Sequence, residues 1–394
     1  MRTSHMIYIG AALTSLMCGT LIANQIWPIP QPTTHVPTTA ASAQTQAQPE
    51  APLVRPEQEQ RPRIDVVFVV DTTGSMGGLL DGAKRKIWSI ANRLASGQPR
   101  PDIRVGLVAF RDLNDEYVTR NSPLTRDLDG LQGDLNALAA GGGGDGPEHV
   151  NQGLADAIHG MAWEQGDNVL RLVFLVGDAP PHDDYAGPSS SDLAAAAKAK
   201  GIVINTIRCG QQPETAAAWT RIAQLAGGEM STIDQDGGVD RLDSPFDAEL
   251  AELNRSLAAT SLGWGSATDK ARAHRKVRAR SSLSGEAAAD AASYSAKTAR
   301  LNDEDLLSAL DEGRVELERV ANEALPENMQ RMSTSEQQAY VADLRRQREA
   351  LNKQILEVAK KRDAWVEDNS GADGFDNSVV DMLRSQAADI GVAY

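Results

Sequence analysis

Three oxygen-bearing side chains alternate along one short stretch of the chain: Asp71, Thr73 and Ser75, within VFVVDTTGSM at 67–76. In a loop leaving a strand, this spacing can turn all three towards one point. Carboxylate and hydroxyl oxygens gathered in that way are ligands for a hard cation such as Mg²⁺ or Ca²⁺. A hydroxyl ligates without neutralising the ion. One or two carboxylates with hydroxyls therefore leave residual positive charge and, where coordination is incomplete, an open position that attracts an acidic side chain of a partner. A cage of carboxylates alone would be electrically satisfied and closed. Asp178, ending the apolar run LVFLVGD, is the natural distant carboxylate. The competing reading makes Asp71 and Ser75 caps of a helix beginning near Leu79, with Asp178 capping its own loop.

The elements that would position these residues are legible in the hydrophobic pattern. Apolar runs at 65–70, 104–110, 172–177 and 201–207 read as buried strands. Between the first two, Ala83, Ile87, Ile90 and Leu94 form a helical stripe. Further helices are expected at 131–139, 147–163, 192–200, 215–226 and 246–257, with Pro147 placed where a missing N–H costs nothing. Continuous apolar strands separated by helices imply an α/β, doubly wound, mostly parallel sheet covered on both faces. Ligands of such a fold bind outside the carboxyl ends of the strands. Asp71, the 111–115 loop and Asp178 all fall at predicted carboxyl ends.

DTTGSM after a buried strand, the loop GGGGDGPE and the later strand ending VGDAPPHD together resemble a von Willebrand factor type A (VWA) domain. The subgroup resembled has threonine in the first hydroxyl position, as in bacterial proteins and the hemicentin and alpha-kinase-linked versions. The resemblance spans about residues 63–262. It implies a metal-ion-dependent adhesion site, with Asp71, Thr73 and Ser75 from the first loop and Asp178 from the third. The family's second loop usually supplies a threonine. The matching region, 141–148, has none, and Asp145 is the best substitute, with plain turn formation as its alternative. An aspartate there would add negative charge, favouring Ca²⁺ or tightening Mg²⁺ while reducing the pull on a partner's carboxylate. Glu148 reads as a first-turn helix residue favourable to the dipole, with a metal role as its alternative. Arg111 and Asp112 are expected to form a loop salt bridge near the site. His182, Asp183 and Asp184 read as a solvated loop rather than a second metal site. His149 and His159 are expected to be structural or exposed.

The rest of the chain bounds the function. A length of 394 residues allows two or three domains, and 41% hydrophobic content suffices for a sizeable core. A net charge of -15 argues against a nucleic-acid partner. Cys18 lies in the N-terminal apolar run, so Cys209 stands alone in the body, expected as a buried strand-end thiol. Residues 1–25 read as a signal peptide or an N-terminal membrane anchor, cleaved or retained. Residues 26–62, rich in Pro, Thr and Gln, lack the apolar side chains to offset ordering and read as a disordered tether. After the VWA region come a linker or an exposed helix at 263–298, a helical region at 299–368 and a tail at 369–394 with a short helix near 378–390. Leu344, Leu351, Ile355, Val358 and Trp365 form a heptad-like stripe interrupted by Arg348 and Arg362. A helical hairpin packed on itself or on the first domain is favoured there over a parallel coiled-coil dimer; the oligomeric state is left open.

The sequence thus predicts a bacterial protein of the periplasm or cell envelope that binds a divalent cation and, through it, an acidic residue of a protein partner. A scaffold whose metal only stabilises the fold is the alternative. A metal-assisted hydrolase is least favoured, since neither a G-x-x-x-x-G-K-[ST] loop nor an H-E-x-x-H helix is present, and the chain is expected not to be an enzyme.

Overall fold

β1 (Arg63–Asp71) is buried almost throughout and forms the middle of the sheet. Its residues alternate between two cores: Ile64, Val66, Phe68 and Val70 face one, Val67 and Val69 the other. That double burial is why the strand reads as an unbroken apolar run. The computed structural model describes residues 61–144, 146–233, 244–369 and 374–394, so Asp145 and the N-terminal segment and tether lie outside the described residues, save positions 61 and 62.

With β2 (Asp102–Phe110), β3 (Thr119–Thr125), β4 (Val169–Gly177), β5 (Ile202–Cys209) and β6 (Met230–Ile233), the sheet has six strands in the order β3-β2-β1-β4-β5-β6. All neighbours are parallel except β2 and β3. The architecture is the expected α/β one, doubly wound and mostly parallel. Helices Leu80–Ala95 and Leu128–Ala137 cover one face; helices Val150–Ala155, Ser190–Ala199 and Pro213–Ala226, the last burying Trp219, cover the other. Register aligns the strand ends: Asp71 lies opposite Phe110, and Val70 opposite Val176. The loops leaving β1, β2 and β4 therefore open on one edge. Cys209 is a buried free thiol at the end of β5, as expected, and burial pushes its pKa up.

The C-terminal part departs from the expected layout. Residues 263–298, read as a linker or an exposed helix for want of large apolar side chains, form two helices, Ala267–Ser281 and Gly285–Thr298, and the second of them is buried. The second buries Ala288, Ala289, Ala291, Ala292 and Ala296, and small side chains let backbones approach closely. The first is held by charge: Lys276 pairs with Asp127 and Glu304, and Arg280 with Asp129 at 2.9 Å. In place of a hairpin of long helices, residues 299–333 carry only helix Leu306–Asp311 and short 3-10 turns, followed by the single long helix Thr334–Asn369.

The heptad-like stripe of that helix is consumed within the chain. Ile355, Val358 and Ala359 pack against Leu250, Leu257, Ala289 and Ala292. The interrupting arginines pair within the chain: buried Arg348 with Asp305, and half-buried Arg362 with Asp247 and Asp290. Last in the chain, helix Gly374–Ala387 returns to the sheet and adds Val379, Leu383 and Ala387 to the first core. Among the described residues, no helix is long and apolar enough to cross a membrane.

Candidate metal centre

The first loop is a chain of hydrogen bonds. Asp71 Oδ1 accepts from the Thr73 amide at 2.9 Å and from Thr73 Oγ1 at 2.7 Å. Thr73 Oγ1 lies 3.1 Å from Ser75 Oγ, which donates to Asp178 Oδ1 at 2.8 Å. Of the five expected ligands, Asp71, Thr73, Ser75 and Asp178 thus meet at one point, and Asp145 lies outside the described residues. The capping alternative is not what these side chains do: neither turn Gly74–Gly78 nor helix Leu80–Ala95 takes a side-chain cap.

The three loops are stitched by main chain. Gly74 N donates to Gly142 O at 3.1 Å, and Gly141 N to Thr72 O at 3.0 Å, joining the first loop to the second. Glu148 N donates to Pro180 O and His182 N to Glu148 O, both at 3.0 Å, joining the second to the third. The third loop is fixed from behind by helix Pro213–Ala226. Thr215 Oγ1 donates to Asp178 O at 2.8 Å and Trp219 Nε1 to Ala179 O at 3.1 Å. The glycine run is needed for this. Gly142 and Gly143 have φ of +76° and +73°, and a Cβ on Gly142 would lie 2.3 Å from the Asp115 carboxylate.

Arg111 forms the expected loop salt bridge with Glu116, at 3.5 Å, rather than with Asp112. Its Nε donates to Thr72 O at 3.1 Å and its Nη2 to Ala139 O at 2.9 Å, clamping the first loop to the second, while its guanidinium lies 4.4 Å from the Tyr117 ring centroid. Asp112 instead accepts from Tyr185 Oη, 3.0 Å from each carboxylate oxygen. In the segment expected as solvated, Asp183 and Asp184 are exposed, while His182 is buried, stacks on Tyr185 at 4.1 Å and meets Asp184 at 2.8 Å, and Asp183 accepts from Ser190 and Asn151. His149 packs edge-on against Tyr185 while His159 meets Lys200, so the two share no site.

Asp115 and Glu148 complete the second loop. Asp115 accepts from Asp112 N at 3.0 Å and Gly143 N at 2.8 Å, holding the glycine loop. Glu148 is not in the first turn of a helix, since helix Val150–Ala155 begins after it with His149 as N-cap. The residue is 3% exposed, and Pro147 is the signal that misplaces it.

Electrostatically the site is a concentration of uncompensated carboxylate. Burial pushes Asp71 up to about 7, against the hydrogen bonds from Thr73 and with help from the Asp178 charge. Burial, then the charges of Asp71 and Asp112, push Glu148 up to about 8. Asp178 is raised by burial too, against the Ser75 hydrogen bond. Asp71 Oδ2 and Glu148 Oε2 are buried and have no hydrogen-bond partner among the described residues. No three His, Cys, Asp or Glu side chains among the described residues gather closely enough to hold an ion by themselves. Any cation here would rely on the hydroxyls of Thr73 and Ser75 as well as the carboxylates.

Residues 65–235 match the family described as the von Willebrand factor A domain. An alpha-protein kinase, vwkA, of Dictyostelium discoideum is 33% identical over 121 residues, which is 30% of this chain and 19% of the kinase. The ariadne-like RING finger protein R811 of Acanthamoeba polyphaga mimivirus is 24% identical over 186 residues, or 42% of this chain and 18% of that protein. The chain thus spans about a fifth of the length of either relative. Among solved structures, proximal thread matrix protein 1 of the mussel byssus, with a zinc-occupied MIDAS motif, is 17% identical with a TM-score of 0.36, covering 45% of this chain and 43% of that one. The α/β part of the chain has the VWA-domain fold and is related to members of that superfamily.

Proposed function

We propose that the chain is a binding module, not an enzyme, that holds a divalent cation, Mg²⁺ or Ca²⁺, at Asp71, Thr73, Ser75 and Asp178 and captures a protein partner through an acidic side chain completing the coordination. The observation that carries this reading is the hydrogen-bonded series Asp71–Thr73–Ser75–Asp178, with Asp71 Oδ2 buried and unpaired beside it. A buried carboxylate oxygen without a partner costs on the order of 1–3 kcal/mol or more. A hard cation satisfies it and offsets the mutual repulsion of Asp71 and Asp178. The donor set is all oxygen, which suits Mg²⁺ or Ca²⁺ rather than a thiophilic metal. When bound, the cation would supply an electrophilic position open to a carboxylate. The chain's part is to fix the oxygens: Arg111 holds the first loop on the second, and Thr215 with Trp219 hold the third.

Three further readings accompany this one. Ser75 shares its hydroxyl with Thr73 and Asp178, an arrangement for ligation rather than nucleophilic attack. The identity with an alpha-protein kinase supports placing the first loop with the alpha-kinase-linked versions of the domain. We also place the protein at the bacterial cell envelope, exported through the N-terminal apolar run, with 26–62 as the tether.

The test is capture of partners by the full chain from an exported-protein fraction, with Mg²⁺ and with EDTA, alongside Asp178→Ala. Loss of capture in EDTA and in the variant, with circular dichroism unchanged, is the expected result. Capture that survives EDTA would overturn the reading and leave the scaffold alternative.

A further inference from the structure

Helix Leu128–Ala137 is fastened at both ends. Asp127 caps it, Asp129 lies in its first turn, and the chain beyond its last turn becomes the glycine loop of the site. At 1.5 Å per residue it is a rod about 15 Å long.

The start of the rod is gripped by the C-terminal helices. Lys276, on helix Ala267–Ser281, bonds Asp127 and Glu304 at once. Arg280, one turn further on and 4% exposed, spreads its fork over three elements. Its Nη1 donates to Asp129 Oδ1 at 2.9 Å and its Nε to Asn254 Oδ1 at 2.8 Å, in helix Asp247–Ala259. Its Nη2 donates to Ala291 O at 2.7 Å, in helix Gly285–Thr298. The second Asp129 oxygen is buried with no hydrogen-bond partner, so among the described residues Arg280 is the one cation paired with this carboxylate.

The far end is tied to the site. Lys84 Nζ donates to Leu138 O at 2.7 Å, and Arg111 Nη2 to Ala139 O. Just beyond, Gly141 N and Gly142 O bond Thr72 and Gly74, on either side of Thr73. Beneath the rod, Leu128, Leu131 and Leu135 face Phe68, Ile87 and Trp88 around an apolar cavity of about 20 Å³. A void forfeits dispersion contacts of its lining, so packing fixes the helix less firmly than its buried leucines suggest.

We propose that Arg280 and Lys276 are positioning residues for the site: by holding the start of this helix, they set where its far end places the glycine loop. This rests on the reading of Asp71, Thr73, Ser75 and Asp178 as the cation site. Without Arg280, Asp129 is a buried charge with no partner, and its solvation pulls the start of the helix outwards. A rigid helix passes that shift to residues 139–144, whose bonds to the first loop must then stretch. The C-terminal helices are thereby part of the site's framework, although they supply none of its four oxygens.

The experiment follows the full chain by two readouts: titration with Mg²⁺ alone by calorimetry, and hydrogen exchange of the 139–144 amides without the ion. Gly141 N and Gly143 N, bonded to Thr72 O and to Asp115, report on the loop directly. Circular dichroism checks the fold of every variant. Arg280→Gln and Asp129→Asn are each expected to speed exchange at 139–144 and to weaken Mg²⁺ binding about 2- to 30-fold. The double variant leaves no unpaired charge and is expected to be no worse than either single one, since the pair acts as a unit. Asp305→Asn breaks another buried pair, that with Arg348, away from this helix. It is expected to lose stability while exchange at 139–144 and Mg²⁺ affinity stay as in wild type. Lys276→Gln stands in if Arg280→Gln misfolds. Unchanged exchange at 139–144 overturns the positioning role, and so does an equal effect in Asp305→Asn, which would mark general destabilisation. Faster exchange with Mg²⁺ affinity unchanged breaks the link to the site and overturns the proposal too. If wild type and Asp178→Asn bind Mg²⁺ alike or not at all, the cation reading falls, and exchange alone decides whether Arg280 positions the loop.

Discussion

Ser75 Oγ donates to Asp178 Oδ1 across 2.8 Å, joining two loops separated by 103 positions in the chain. Ser75 is exposed and Asp178 buried, so the bond sits at the mouth of the site, where an incoming ion would meet it first. Because the serine packs against little, Ser75→Ala is expected to leave thermal stability within about 0.5 kcal/mol of wild type. Cation affinity is expected to fall about tenfold or more, since the loss of even one ligand exceeds ~1.4 kcal/mol. Titration of Mg²⁺ by calorimetry, beside a thermal melt, separates the two effects. Parallel losses of stability and affinity would mean that the hydroxyl is structural.

Arg111 carries the corresponding load between the first and second loops. Its planar fork reaches Thr72 O and Ala139 O together while lying over Tyr117, a geometry that a lysine cannot copy. Arg111→Lys is expected to destabilise the chain by about 1–3 kcal/mol, because carbonyl partners are left unpaired. It is also expected to weaken Mg²⁺ binding, since the loops would no longer be held in register. A denaturant melt with and without Mg²⁺ checks this: the stabilisation gained from the ion should shrink in the variant.

The returning helix Gly374–Ala387 is part of the α/β core rather than an appendage. Leu383 is 0% exposed and joins a cluster that includes β1 residues. Asn205 of β5 and Gln386 exchange side-chain amide bonds at 3.0 and 2.8 Å, tying the helix to the sheet. Leu383→Ala is expected to cost about 2–5 kcal/mol, the range for a buried leucine whose cavity cannot collapse. Urea unfolding would measure it, and a cost below 1 kcal/mol would show the helix to be dispensable for the sheet.

What could be read in the sequence follows from which forces set each element. β1 and its loop were legible because burial on both faces forces a continuous apolar run, and that run ends abruptly at Asp71. β3 was not: TRNSPLT is an edge strand, half exposed, with a proline and no alternation, and within the sheet it pairs only with β2. At 267–298 a linker and an exposed helix could not be told apart, and the burial was not legible, because the packing uses alanines and buried ion pairs, neither of which produces a hydrophobic stripe. Within the site, the first and third loops present their ligands as side-chain types. The second is positioned by main-chain bonds from Gly74 to Gly142 and from Glu148 to Pro180, which have no signature in residue types. Pro147 looked like a helix start, and it hid the residue that faces the site.

The C-terminal helices are held by a buried ion pair whose pH dependence is calculable in sign. Arg348 donates to both Asp305 oxygens, at 2.6 and 3.2 Å, and to Thr260 O at 2.8 Å, with Arg348 5% and Asp305 0% exposed. Burial acts to raise the Asp305 pKa, but the Arg348 charge, the hydrogen bonds from Arg348 and Ser308 and the Leu262 amide outweigh it and hold it below 3.8. A carboxylate with a depressed folded-state pKa binds protons more weakly in the folded chain than in the unfolded one. Its stabilisation is therefore fully present above the unfolded value and is lost as pH falls through that value towards the folded one. Asp305→Asn leaves Arg348 as an uncompensated buried charge and is expected to cost about 3–5 kcal/mol at pH 7. The gap between wild type and variant should stay constant from pH 7 down to about 5 and narrow below it, as the wild-type carboxylate takes up its proton. Urea unfolding of both chains across pH 3–7 tests the sign directly: a gap that widens on acidification would mean that Asp305 is held protonated in the fold and that Arg348 is satisfied by Thr260 instead.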